Sequence, residues 1–208
     1  MKKLIFYILL IFFTLHTNAR VKENLKIPKN PKIGLSLSGG GAKGFAHVGV
    51  LKVLDSLGVK VDYISGTSMG AIVGGLYASG YTGKDIEKII LDTDFYNLIS
   101  NINNRAESSF FNKSVDKYLL KVPIKNGKAT LPTSISSGQK NLYLLKELFK
   151  NVSNINDFSK LPIPFMCVAT NLETGKIKIF ENGDLSEAIL ASTAFPSLMD
   201  PVKIGDSI

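Results

Sequence analysis

Ser68 sits in Gly66-Thr67-Ser68-Met69-Gly70 ("GTSMG"), the G-x-S-x-G spacing. That spacing serves a serine nucleophile carried on a sharp strand-to-helix turn, which lifts the hydroxyl clear of the sheet. Side chains at Gly66 and Gly70 would collide across such a turn. A serine at the start of a helix also lies in the field of its free amides, which favours an oxyanion nearby. A second set of residues precedes it: Gly39-Gly40-Gly41-Ala42-Lys43-Gly44 ("GGGAKG"). Acyl transfer needs donors where the carbonyl oxygen becomes negative. The Met69 amide supplies one, the amides of Gly39, Gly40 and Gly41 offer others unobstructed by side chains, and Lys43 adds positive charge beside them.

The glycine run alone has other readings. Gly39, Gly41 and Gly44 satisfy G-x-G-x-x-G between a strand and a helix, the setting of a dinucleotide site. That site also needs an acidic residue at the end of the following strand to hold the ribose. Asp62 stands at the start of that strand, and Ser65, Gly66 and Thr67 occupy its end. A Walker-type phosphate loop fails as well, because Gly44 follows Lys43 where Ser or Thr is required. The base is the open question. His16 lies in the N-terminal apolar segment, and His47 precedes the serine, whereas α/β-hydrolase triads place their histidine after it. His47 reads as a packing residue, so the base is a carboxylate or lies outside this chain. Cys167, alone in an apolar run, reads as a buried, inert thiol. There is no calcium-loop pattern, and the chemistry calls for no metal or cofactor.

These residues need elements to hold them. "KIGLSLS" is a short apolar strand ending at the glycines. Phe45, Val48, Leu51, Leu54 and Leu57 then recur at helical spacing, with Gly58 as the stop. "VDYIS" is a second strand, and "MGAIVGGLYASG" a second helix of small and apolar residues. Strand, glycine loop, helix, strand, tight turn and helix together imply an α/β domain with a mainly parallel sheet. Thr82 with Asp85 predicts a capped helix running to about Phe95. Residues 97–140 read as irregular and as the source of a lid or acyl groove, with Phe110 and Phe111 equally readable as groove or as core residues. "NLYLLKELFK" predicts an amphipathic helix, "LPIPFMCVATN" and "ETGKIKIF" a hairpin through Thr174-Gly175, and "GDLSEAILAS" a helix opened by Asp184 and Glu187.

Lys2 and Lys3 precede the uncharged apolar stretch 4–15, and Thr17-Asn18-Ala19 resembles a small-residue cleavage site. Residues 1–19 therefore read as a secretory signal peptide, since the stretch is short of the about 20 apolar residues that span a bilayer. Residues 20–31 read as a linker. The net charge of +8 becomes +6 once Lys2 and Lys3 are removed, with 23 basic residues against 17 acidic. Such a surface suits anionic headgroups. The lysines are scattered and not interleaved with aromatics, which argues against nucleic acid as a partner.

With "GGGAKG", "GTSMG" followed by "GAIVGGLYASG", "PIPFMCVATNLETG" and "ASTAFPSLMDPV", residues 32–208 resemble the patatin-like phospholipases. The resemblance implies a three-layer α/β/α fold with a mainly parallel central sheet. It also implies hydrolysis of lipid acyl esters by a serine–aspartate dyad. Ser68 matches the nucleophile and Gly39, Gly40 and Gly41 the oxyanion loop; phospholipid and a membrane surface become the expected partners. The family's aspartate lies in an Asp-Gly turn after the segment matching "FPSLMDPVKI". Asp206 is followed by Ser207, so it is not assigned that role, and the domain is expected to be C-terminally incomplete. The export signal resembles that of patatin-like passengers that continue into periplasmic repeats and an outer-membrane barrel, which implies a periplasmic, outer-membrane or surface location. Two other readings compete: an exported lipid- or surface-binding domain without turnover, and a nucleotide-binding domain.

Overall fold

β1 (Gly34–Leu37) and β2 (Tyr63–Thr67) pair in parallel, and β6 (Phe165–Thr170) continues the sheet in parallel on the other side of β2. β7 (Ile177–Phe180) closes the order β1-β2-β6-β7 as an antiparallel neighbour of β6. The computed structural model describes residues 30–95, 98, 124–125, 128–129 and 134–205. The expected signal peptide, nearly all of the linker, and Phe110 and Phe111 lie outside the described residues.

The register puts Leu35, Leu37, Ile64, Gly66, Phe165, Cys167 and Phe180 on one face of the sheet. All of these but Leu35 are buried. Against that face lies α2 (Met69–Ala78), whose Gly74 sits over Ile64, Leu37 and Phe165 and whose Gly75 meets Ile189 and Phe149. Large side chains such as Ile64 of β2 and Phe165 of β6, each worth about 1.5–3 kcal/mol on full burial, thus fasten α2 to the sheet. α1 (Ala46–Ser56) and α3 (Gly83–Asp92) pack on each other. So do α4 (Gln139–Leu148) and α5 (Leu185–Thr193). The mainly parallel α/β architecture expected from the sequence is the one found.

Several local expectations are met closely. Thr82 and Asp85 form a reciprocal capping box on α3. The Asp184 side chain accepts the Glu187 amide at 3.0 Å to start α5. Asn171 accepts from the Thr174 amide and hydroxyl, both at 2.8 Å, to build the β6–β7 turn.

Others need correction. The first helix opens as a 3-10 turn over Gly41–Phe45, because two positive-φ glycines, Gly40 and Gly41, cannot enter an α-helix directly. Leu57, expected on the buried stripe, is 70% exposed: α1 ends at Ser56, one residue before it. α3 ends at Asp92, not Phe95, because Thr93 turns extended at φ −92°, ψ 123°. Beyond it the Phe95 ring packs against Phe45 at 4.9 Å. The stretch read as irregular carries three short strands: β3 (Ile124–Lys125) and β4 (Lys128–Ala129) pair antiparallel, and β5 (Ser134–Ser136) runs parallel to β8 (Ser197–Met199). Strands of two or three residues carry no alternation for the eye to find.

Candidate active site

A single residue separates β2 from α2, and it is Ser68. Its backbone stands at φ 53°, ψ −122°, one of two non-glycine positive-φ positions among the described residues. Backbone of this kind costs on the order of 1–3 kcal/mol and persists only where the surroundings impose it. The surroundings here are tight. A Cβ at Gly66 would lie 2.5 Å from the Gly70 carbonyl oxygen and 2.6 Å from the Ala71 Cα. One at Gly70 would run into the Leu37 carbonyl and lie 2.6 Å from the Ser38 oxygen. Both glycines permit the turn that aims Ser68 off the end of the sheet, the reason for which the sequence pattern needs them.

The glycine run faces this turn. A Cβ at Gly39 would lie 3.2 Å from the Ser68 Cβ and 3.9 Å from its Oγ. Gly44 lies flush on the Met69 side chain, which leaves no room for a larger residue there. Gly40 (φ 155°) and Gly41 (φ 55°) turn the chain between Ser38 and the 3-10 turn. Among the described residues no backbone acceptor takes the amides of Gly40, Gly41 or Met69, and no side chain caps α2. These are donors left over for a ligand. Lys43 is exposed on the same 3-10 turn, its amide donating to the Gly40 carbonyl at 3.2 Å.

His47 is committed elsewhere. Its Nε2 lies 2.9 Å from the Ser38 carbonyl oxygen. A carbonyl can only accept, so Nε2 carries the hydrogen and the ring braces the loop from α1. Asp62, the residue a dinucleotide site would need at the far end of β2, instead accepts the Ile33 amide at 2.9 Å, just ahead of the strand. Cys167 is fully buried, and burial pushes its thiol up to about 12, well out of the range where a thiolate could act.

The space beside Ser68 is an apolar cavity of about 420 Å³ at the C-terminal ends of β2 and β6. That is the end of a parallel sheet where α/β proteins bind ligands. Its walls are Thr67 and Ser68, the hairpin from Val168 to Phe180, the end of α5, and the chain from Ala194 to Ile204. Phe195, at 70% exposure, stands in this lining. Phe110 and Phe111, the groove candidates of residues 97–140, lie outside the described residues; among the described residues the cavity is walled by later parts of the chain. Sequence reasoning also passed over Ser192, whose hydroxyl contacts the Ser68 amide across 124 residues of sequence.

The sequence matches the family described as patatin-like phospholipase over residues 35–208. An uncharacterised NTE-family protein of Mycobacterium bovis is 30% identical over 175 residues, which cover 84% of this chain and 41% of that protein. Lysophospholipase NTE1 of Debaryomyces hansenii is 34% identical over 184 residues, covering 88% of this chain and 10% of its own. The chain thus spans well under half the length of these relatives. The crystal structure of VipD from Legionella pneumophila aligns with a TM-score of 0.53 at 18% identity, covering 85% of this chain and 44% of that one. At that identity the likeness is one of fold.

Proposed function

The chain belongs to the patatin-like phospholipase family, and from that premise we propose that it is a lipid acyl hydrolase with Ser68 as its nucleophile. The observation that carries the reading is the backbone of Ser68. A non-glycine residue is held at φ 53° between a strand and a helix, facing a glycine loop and opening on an apolar cavity.

In this mechanism the Ser68 Oγ attacks the ester carbonyl carbon of a lipid whose acyl chain lies in the cavity. Its proton passes to the carboxylate of the dyad's aspartate, a role to which no described residue is assigned. The carbonyl oxygen, now negative, is met by the amides of the glycine loop and of Met69, oriented before the charge appears. Collapse of the tetrahedral intermediate breaks the bond to the alcohol oxygen, which leaves with the proton. The acyl group stays on Ser68 until water attacks by the same route. A phospholipid or lysophospholipid fits this chemistry.

The test is labelling of the full-length protein with a fluorophosphonate, alongside release of fatty acid from phosphatidylcholine vesicles. Covalent labelling and fatty-acid release, both lost in Ser68→Ala, are expected. Labelling that persists in Ser68→Ala overturns the assignment. Vesicle binding without labelling or turnover would turn the reading to a lipid-binding domain.

A further inference from the structure

We propose that Ser192 is a positioning residue for the nucleophile: its hydroxyl replaces the missing rung of the sheet at Ser68 and so holds the turn that presents Oγ. This inference rests on the reading of Ser68 as the nucleophile. The Ser192 Oγ donates to the Val168 carbonyl at 2.6 Å and accepts the Ser68 amide at 2.8 Å. One hydroxyl has a single hydrogen and two lone pairs, and here it spends the hydrogen on one strand and takes the other strand's amide on a lone pair.

The position of that bridge follows from the ladder. β2 and β6 are parallel, with Ile64 opposite Phe165 and Thr67 opposite Val168. The Ile64 amide donates to the Pro164 carbonyl at 2.9 Å. Rungs on one strand of a parallel pair recur every second residue, so the next donors are Gly66 and then Ser68, and the acceptor for Ser68 is Val168. In the structure that last rung is not made directly. Ser192, at the end of α5, stands between its two halves. β2 can therefore leave β6 at Ser68 and turn outward, with neither the amide nor the carbonyl left unpaired at a part-buried site.

A consequence for the chemistry is a division of amides. The Ser68 amide is bound to Ser192 and does not serve the oxyanion, which falls to Met69 and the glycine loop. Removing the hydroxyl frees the Ser68 amide and lets the turn relax, so Oγ loses its aim while the cavity that takes the acyl chain is left in place. Misplacement of this kind, by as little as about 1 Å, costs up to about a hundred-fold in rate.

The experiment compares wild type, Ser192→Ala and Ser192→Thr of the full-length protein. It reads the rate of fluorophosphonate labelling at Ser68, kcat and KM on a soluble ester, and the thermal midpoint. We expect Ser192→Ala to lower the labelling rate and kcat by about ten- to a hundred-fold, with KM within about three-fold and a folded protein at the assay temperature. Ser192→Thr keeps the hydroxyl and should recover most of the loss. Wild-type labelling in Ser192→Ala, or a loss that appears in KM and not in kcat, overturns the role of Ser192 alone. Absence of label on Ser68 in the wild type overturns the nucleophile reading and this role with it.

Discussion

Gly66→Ala is the sharpest test of how the turn is built. The added Cβ would lie 2.5 Å from the Gly70 carbonyl oxygen, 2.6 Å from the Ala71 Cα and 2.8 Å from the Ala71 nitrogen. Ordinary contact begins at 3.4 Å, so these backbone atoms must retreat by about 0.6–0.9 Å. All of them belong to the first turn of α2, and that turn has nowhere to go. Gly70 is already packed on the Leu37 carbonyl, and Gly74 and Gly75 are hemmed in by Ile64, Leu37, Ile189 and Phe149. Overpacking of this kind costs about 1–3 kcal/mol, and because only backbone can yield we expect about 3 kcal/mol. For a protein of this size that is a fall in Tm of roughly 6–12 °C. The control is Gly49→Ala, in the middle of α1, where an added Cβ meets nothing within 4 Å. There the helix should gain about 0.5–1 kcal/mol, a rise of a few degrees. Differential scanning calorimetry on both variants, with fluorophosphonate labelling of Gly66→Ala, checks the pair. A Gly66→Ala protein that melts within about 2 °C of wild type and labels normally would refute the claim that close backbone contact sets the turn.

Two further predictions concern titration and reactivity. Burial, reinforced by the hydrogen bond it donates to Asp55 at 2.6 Å, pushes the Tyr77 hydroxyl up to about 12 from 10.0. A group whose pKa is raised by folding stabilises the fold fully below its unfolded value, so stability should decline between pH 10 and about 12; Tyr77→Phe should flatten that limb in urea titrations. Cys167, buried with its thiol at about 12, should resist iodoacetamide in the folded protein at pH 8 and react at once in 6 M guanidinium, as intact mass would record.

What could be read from the sequence is what depends on neighbours in the chain. The turn around Ser68 needs two glycines within five residues, and the caps at Thr82 and Asp184 need a partner three residues on. Each is a local geometric demand that leaves a local pattern. The end of the helical stripe at Leu57 misled because periodicity ran one residue past a helix that stops at Ser56. The cavity walls and Ser192 left no pattern at all. Ser192 meets Ser68 across 124 residues, and Val168, Lys178, Phe195 and Ile204 become neighbours only when β6, β7 and α5 converge on the end of the sheet. Nothing in "ASTAFP" distinguishes a serine that bridges two strands from one that faces solvent.

The strain at Ser68 is imposed by the core at both ends of the turn, and Ser192 completes the hold at the turn itself. α2 is buried along almost its whole length, from Gly70 and Ala71 through Val73, Leu76, Tyr77 and Ala78. A helix enclosed in this way can neither slide nor roll without opening contacts to Ile64, Phe149 and Ile189, each of them fully or almost fully buried. Its first turn is therefore a fixed point. β2 is fixed too, paired in parallel on both edges. The residue between two fixed elements has to take whatever φ and ψ join them, and a Ser at φ 53° is the result. Ser192 then satisfies the amide that this geometry turns away from its strand partner, and His47 braces the loop in front. In the proposed mechanism, the core fixes the two ends of the turn and Ser192 its amide, so that the exposed glycine loop would meet the developing charge while Oγ stays in place.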